Sequence, residues 1–252
     1  MPRILITGCS SGFGRAIAAR FVDEGWDVIA TMRTPSADGL PDSDRLTILP
    51  LDVTDQGSVD AAFAKTDQID ALVNNAGVGM LNVLEGSDIV KARELIETNV
   101  VGTMAMTKAA MATMRPRRSG VIVNISSSVT LRALPALSIY SASKAAVSAF
   151  TESFALEAAE HGVRVRLVLP GSAPETSFGR NAVARMGMDV PEAYASFVQA
   201  YFQTLQSAAE KTQARDVADA VWRAVTDADG PMTLPAGADA ETWFRDAGRS
   251  AA

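Results

Sequence analysis

The stretch from Arg3 to Glu24 limits the possible folds more than any other part of the chain. Arg3-Ile-Leu-Ile-Thr7 is a short apolar, β-branched run, followed directly by Gly8-Cys9-Ser10-Ser11-Gly12-Phe13-Gly14 and an alanine-rich segment, Arg15 to Glu24. A strand, a glycine loop and a helix in that order place backbone N–H groups and a helix N-terminus where a pyrophosphate can approach. A purely structural turn is the competing reading of the loop taken alone. The spacing, T-G-x-x-x-G-x-G, differs from the G-x-G-x-x-G of many dinucleotide folds.

The pattern repeats. Trp26–Thr31, Leu46–Leu51, Ile69–Val73, Val121–Ile125 and Val163–Leu169 read as further strands, with Met232–Leu234 as a short last one. Helical periodicity fills the intervals: a helix starting near Thr54, one over Asp88–Met114 that stops before Pro116, one over Ser141–Glu160, and one over Asp216–Val225. Alternation of this kind predicts an α/β, doubly wound, Rossmann-type parallel sheet with helices on both faces and a ligand crevice at the carboxyl ends of the strands. No linker divides the 252 residues, so 1–252 is expected to be one domain. Residues 172–212 break the rhythm and read as an inserted lid carrying Met186, Met188, Tyr194, Phe197, Tyr201 and Phe202. The tail from Thr242 to Ala252 carries no readable pattern.

Charge and composition remove several classes of function. A net charge of −6 and a pI near 4.9 give no electrostatic footprint for nucleic acid or an anionic membrane surface. One cysteine, Cys9, and one histidine, His161, offer no cluster with metal-ligand spacing. The first residues enter a strand without an apolar leader, so a cytoplasmic location is expected.

The chemistry concentrates in Tyr140-Ser-Ala-Ser-Lys144, with Ser127 upstream. On a helix, positions four apart share a face, so an ammonium at 144 is expected to favour the phenolate of Tyr140 and pull its pKa down toward neutrality. Ser127 supplies a hydroxyl for a substrate oxygen. An ordinary amphipathic helix with a half-buried tyrosine explains Y-x-x-x-K alone equally well. Other candidates stand at strand ends: Asp52-Val53, where Asp52 either accepts from an adenine amino group or caps the next helix, and Asn74-Asn75-Ala76-Gly77. Asn99 falls mid-helix, where its amide competes for backbone groups and hints at a local distortion. Pro170-Gly171 ends the sixth strand.

Together these motifs resemble the short-chain dehydrogenase/reductase family, in its branch of about this length, over nearly the whole chain. The resemblance implies a seven-stranded sheet, a nicotinamide cofactor, and an active-site tetrad of Asn99, Ser127, Tyr140 and Lys144. It assigns Tyr140 as acid/base, Ser127 as the group orienting the substrate oxygen, and Lys144 as holder of the nicotinamide ribose; Asn99 supports a water relaying protons to Lys144. Gly8, Ser10, Ser11, Gly12, Phe13, Gly14, Arg33, Asp52, Val53, Asn75, Ala76, Gly77, Pro170 and Gly171, with Tyr140 and Lys144, are the implied cofactor contacts. The family's usual threonine five residues after that proline is replaced by Glu175, with Thr176 one further on.

The second strand ends in Met32-Arg33, not in the carboxylate usual for NAD users, so NADP(H) is the expected cofactor and NAD(H) the alternative. The expected reaction interconverts a ketone or aldehyde and an alcohol, on a hydrophobic small molecule given the Met and aromatic content of the lid. A non-enzymatic dinucleotide-binding regulator on the same fold is the main rival. A homodimer or homotetramer, paired through the alanine-bearing helix Ser141–Glu160, is expected from the family.

Overall fold

A computed structural model describes residues 1–66, 68–174, 176, 190–207 and 210–248. Its core is a seven-stranded sheet in the order β3-β2-β1-β4-β5-β6-β7. The strands are β1 (Arg3–Thr7), β2 (Asp27–Met32), β3 (Leu46–Pro50), β4 (Ala71–Asn74), β5 (Gly120–Ile125), β6 (Val163–Pro170) and β7 (Thr233–Ala236). Every neighbouring pair is parallel. Strand order reverses at β1, which pairs with both β2 and β4, so the crevice opens between their carboxyl ends.

The period-2 alternation of each strand sorts its residues onto two cores. Ile4, Ile6, Val28, Ala30, Val121 and Val123 face α1 (Gly12–Asp23) and α7 (Ala214–Thr226), packing on Ile17, Phe21, Val217 and Val221. Leu5, Ile29, Leu72 and Ile122 face the other way. There they meet α2 (Gln56–Ala64), α4 (Gly102–Arg117) and α5 (Ser138–Ala159) through Val59, Met106, Met114 and Ala158. Phe21, Trp26 and Trp222 close one edge of the first core with edge-on ring contacts.

The expected helix over Asp88–Met114 differs in two ways. It is split into α3 (Ile89–Ile96) and α4 by a π turn over Glu97–Val101 centred on Asn99, the distortion its mid-helix asparagine signalled. It also runs past Pro116 to Arg117, because a proline in the last turn forfeits only one hydrogen bond; Arg118, left-handed at φ 51°, ends it. The fifth helix starts three residues earlier than read, so Tyr140 lies inside it. In the lid, α6 (Ala195–Ser207) follows a 3-10 turn at Glu192–Tyr194; Val198 is buried and Phe197 is 52% exposed. Glu175, Met186 and Met188, and the side chain of Phe202, lie outside the described residues. The first residues of the tail are helical: α8 (Ala238–Asp246) covers them, and Phe244 packs on Leu167 and Leu169. No helix among the described residues is long and apolar enough to cross a membrane, and none of their His, Cys, Asp and Glu side chains group as a metal site.

Candidate active site

Along the carboxyl edge of the sheet runs a cleft of about 460 Å³ lined by Gly8, Ser10, Ser11, Gly12, Phe13, Arg33, Asp52, Val53, Asn75, Ala76, Gly77, Ser127, Tyr140, Lys144, Pro170 and Gly171. Of the implied tetrad and cofactor contacts, only Gly14 and Asn99 stand back from it. Both work from behind. A side chain on Gly14 would strike the carbonyl of Gly8 and the amide of Asn75, so this glycine lets α1 close onto the loop.

The glycine loop is pinned by a hydroxyl and an amide. Thr7 Oγ1 accepts from the N–H groups of Asn75 and Ala76, at 3.0 and 2.9 Å, and Asn75 Nδ2 donates to the carbonyls of Thr7 and Gly8. Asn75 therefore holds the two loops together, and Ala76 passes so close to Gly8 that no Cβ would fit there. Asp52 is not the cap of α2; that is Asp55, which accepts from Ser58 N at 2.6 Å. Asp52 instead accepts from the backbone N–H and hydroxyl of Thr54, and chiefly the backbone bond holds its carboxyl below the usual range. Arg33 is exposed at the end of β2 and lowers it a little further. Thr176, whose Cβ lies within van der Waals reach of a Cβ built on Gly12, stands over the loop where the usual threonine position falls one residue earlier.

At the other end of the cleft, β5 delivers Ser127 and α5 delivers Tyr140 and Lys144. Lys144 Nζ donates to Ile125 O at 3.0 Å and lies 5.9 Å from the centre of the Tyr140 ring. Both groups are buried, 8% exposed for Tyr140 and 5% for Lys144. Burial pushes the Tyr140 phenol up to about 12, with the Ser127 hydrogen bond opposing, and brings Lys144 down to about 8. The expected downward pull of Lys144 on Tyr140 does not appear: burial dominates and holds the phenol protonated.

Asn99 is buried, 1% exposed, and both its amide hydrogens and one acceptor site of its oxygen are used. Oδ1 accepts from Val78 N at 2.8 Å, while Nδ2 donates to Val78 O and to Ser143 Oγ, which in turn donates to Tyr140 O. The π turn places this clamp between the Gly77-Val78 loop and the first turn of α5. Sequence reasoning passed over Ser143 and gave the Thr7 side chain no role, although their hydroxyls carry these bonds; serine and threonine hydroxyls give no periodic signal. Cys9 is buried and its thiol is pushed up to about 12, which removes it as a nucleophile.

A parallel sheet with a glycine-floored crevice, a hydroxyl, a phenol and a buried ammonium at one end defines a dinucleotide-fold protein equipped for proton transfer. Residues 2–186 match the family model for short chain dehydrogenases, and the chain belongs to that family. It is 34% identical over 183 residues to retinol dehydrogenase 8 of Bos taurus, covering 68% of this chain but only 59% of that protein. A short-chain dehydrogenase from Streptomyces avermitilis superposes with TM-score 0.81 at 33% identity, covering 97% of this chain and 91% of the other. One from Burkholderia cenocepacia, in complex with NADP, superposes with TM-score 0.77 at 30% identity, over 97% and 91%.

Proposed function

We propose that the protein is an NADP(H)-dependent oxidoreductase interconverting a carbonyl and an alcohol on an apolar small molecule. The observation carrying this reading is the convergence of Ser127, Tyr140 and Lys144 at one end of a cleft whose floor admits no side chain at Gly8. That floor fits a dinucleotide pyrophosphate, with Arg33 and Asp52 at the adenosine end and Pro170-Gly171 and Lys144 at the nicotinamide end. Bound there, the nicotinamide supplies or accepts the hydride.

The chain's own residues handle the oxygen. Ser127 Oγ holds the substrate oxygen by a hydrogen bond, and Tyr140 Oη gives its proton to that oxygen in reduction, or takes it in oxidation. Lys144, anchored on Ile125 O, binds the ribose hydroxyls and, while charged, stabilises the phenolate left by proton transfer. Asn99 fixes Val78 and the start of α5, and supports a water leading to Lys144.

Arg33 favours a 2′-phosphate by charge and fork geometry, in line with the NADP complex of the Burkholderia relative. The name of retinol dehydrogenase 8, which denotes an apolar alcohol, agrees with an apolar substrate. Ala142, Ala145 and Ala149 lie exposed on one face of α5, which favours a homodimer or homotetramer built on that helix. A non-enzymatic regulator would have no use for a phenol and ammonium buried together. The test is a panel of apolar ketones, aldehydes and secondary alcohols followed by cofactor absorbance, with Tyr140→Phe beside wild type. Turnover by wild type and none by the variant is expected; equal turnover by both would refute the assignment.

A further inference from the structure

We propose that Asp239 is a positioning residue: a clasp that holds the Pro170-Gly171-Ser172 backbone and both roots of the lid in register at the nicotinamide end of the cleft. The proposal rests on the reading of the cleft given above.

Three chain segments meet at this point. Asp239, in the first turn of α8, is only 5% exposed, and its Oδ2 accepts from Ser172 N at 2.6 Å. Its Oδ1 lies 2.6 Å from the hydroxyl of Thr212, itself 3% exposed. That hydroxyl also lies 2.9 Å from Ala236 O and accepts from Gly171 N at 3.0 Å. The two roots of the lid are joined directly, Thr212 N donating to Ser172 O at 2.8 Å. The carboxylate therefore ties the backbone just beyond β6 to the far root of the lid and, through Thr212, to the end of β7.

A carboxylate buried to this degree is costly unless its charge is met. Here a backbone N–H, a hydroxyl and the positive N-terminal end of α8 meet it. Packing is correspondingly tight: a Cβ on Gly171 would collide with the Asp239 carboxylate, and one on Gly237, at φ 99°, with Thr212. Gly171 lines the cleft and Asp239 does not, so Asp239 acts on the reaction through the backbone it fixes. Its effect is confined to one end, since β6 and β7 lie on the far side of β1 from Arg33 and Asp52.

Confinement gives the test. Dissociation constants of NADPH and of 2′-phospho-ADP-ribose, which carries the adenosine half and both bridging phosphates but no nicotinamide ring, are measured by calorimetry on wild type, Asp239→Ala and Asp239→Asn. Asp239→Ala is expected to weaken NADPH about tenfold while leaving the fragment within about twofold, a shift in ratio that general loosening of the fold would not produce. Asp239→Asn is expected to return the ratio to within about twofold of wild type. Its amide can accept from Ser172 N and donate to Thr212, whose hydroxyl then turns to Ala236 O. A ratio unchanged in Asp239→Ala, whatever its melting temperature, overturns the proposal, as does Asp239→Asn behaving like Asp239→Ala. Should Asp239→Ala fail to fold, Thr212→Val takes its place: a raised ratio supports the clasp and an unchanged one overturns it. Wild type binding neither ligand would instead refute the dinucleotide reading, and the clasp with it.

Discussion

Lys144 and Tyr140 stand one helical turn apart, and the ammonium that reaches the carbonyl of Ile125 at 3.0 Å also lies 5.9 Å from the centre of the Tyr140 ring. Both side chains are buried in a site that opposes charge on either of them. The folded state has therefore accepted a cost at Lys144 that its own stability does not require.

Removing that cost should stabilise the protein. A shift of Lys144 from 10.5 to about 8 corresponds to roughly 3 kcal/mol at 1.36 kcal/mol per unit; the lost hydrogen bond to Ile125 O returns about 1. Lys144→Met is expected to gain about 2 kcal/mol at pH 7, a rise in Tm of about 5 °C, with turnover abolished. The sign follows from proton binding. Between about pH 8 and 10.5 the unfolded chain holds a proton on Lys144 that the folded chain has lost, so wild type gains stability as pH rises. The advantage of Lys144→Met should be largest below pH 8 and reverse by about pH 10.5, where only the lost hydrogen bond remains, as thermal melts across that range will show.

Tyr140 shapes the pH dependence of the two directions. Its phenol, pushed up to about 12, is the competent form for carbonyl reduction and the wrong form for alcohol oxidation. We expect kcat/KM for oxidation to climb steadily from pH 7 to 10, while reduction does not climb. Oxidation levelling off near pH 7 would mean that the phenol ionises far more readily than its burial implies.

Arg33 is expected to read the cofactor's phosphate. Loss of one charged hydrogen bond costs roughly 1.5 to 3 kcal/mol, about ten- to a hundredfold in affinity. Arg33→Ala should weaken NADPH by that factor and NADH little. A wild-type preference for NADH, or equal losses with both, would remove Arg33 from the phosphate site.

On α5 the outward face can be tested separately. Ala145 and Ala149 are exposed, Leu156 is 75% exposed, and Phe150 and Phe154 stack nearby at 5.6 Å. Ala149→Glu should convert an oligomer to monomer by light scattering, with the circular dichroism spectrum unchanged. A wild type that is already monomeric at micromolar concentration would remove the helix from any interface.

The sheet and its crevice were legible because parallel strands buried on both faces must be near-continuous apolar runs, as Ile4-Leu5-Ile6 and Leu72-Val73 are. Tyr140 and Lys144 were legible because a fixed spacing on a helix fixes a shared face. Their protonation was not, since burial depends on α5 lying against β5 and on the 78–80 loop, contacts between residues far apart in the sequence. Asn99 gave half its story: a poor helix former marks a distortion, but its clamp on Val78 needs the loop's position. Asp239 and Thr212 were invisible because their partners lie 67 and 41 residues away, at Ser172 and Gly171. The α8 helix went unread because Trp243 and Phe244 are its few apolar residues, too few to establish a period.

Because Ser172 and Thr212 are hydrogen-bonded to each other, the segment between them departs from and comes back to a single point just beyond the end of β6. Its two ends are therefore held together at one point whatever its length. Doubling such an excursion adds only about 0.6 kcal/mol of closure entropy. A foreign segment grafted in place of residues 177–211 would therefore be closed by the same two anchors, leaving Thr176, Ser127, Tyr140 and Lys144 where they stand.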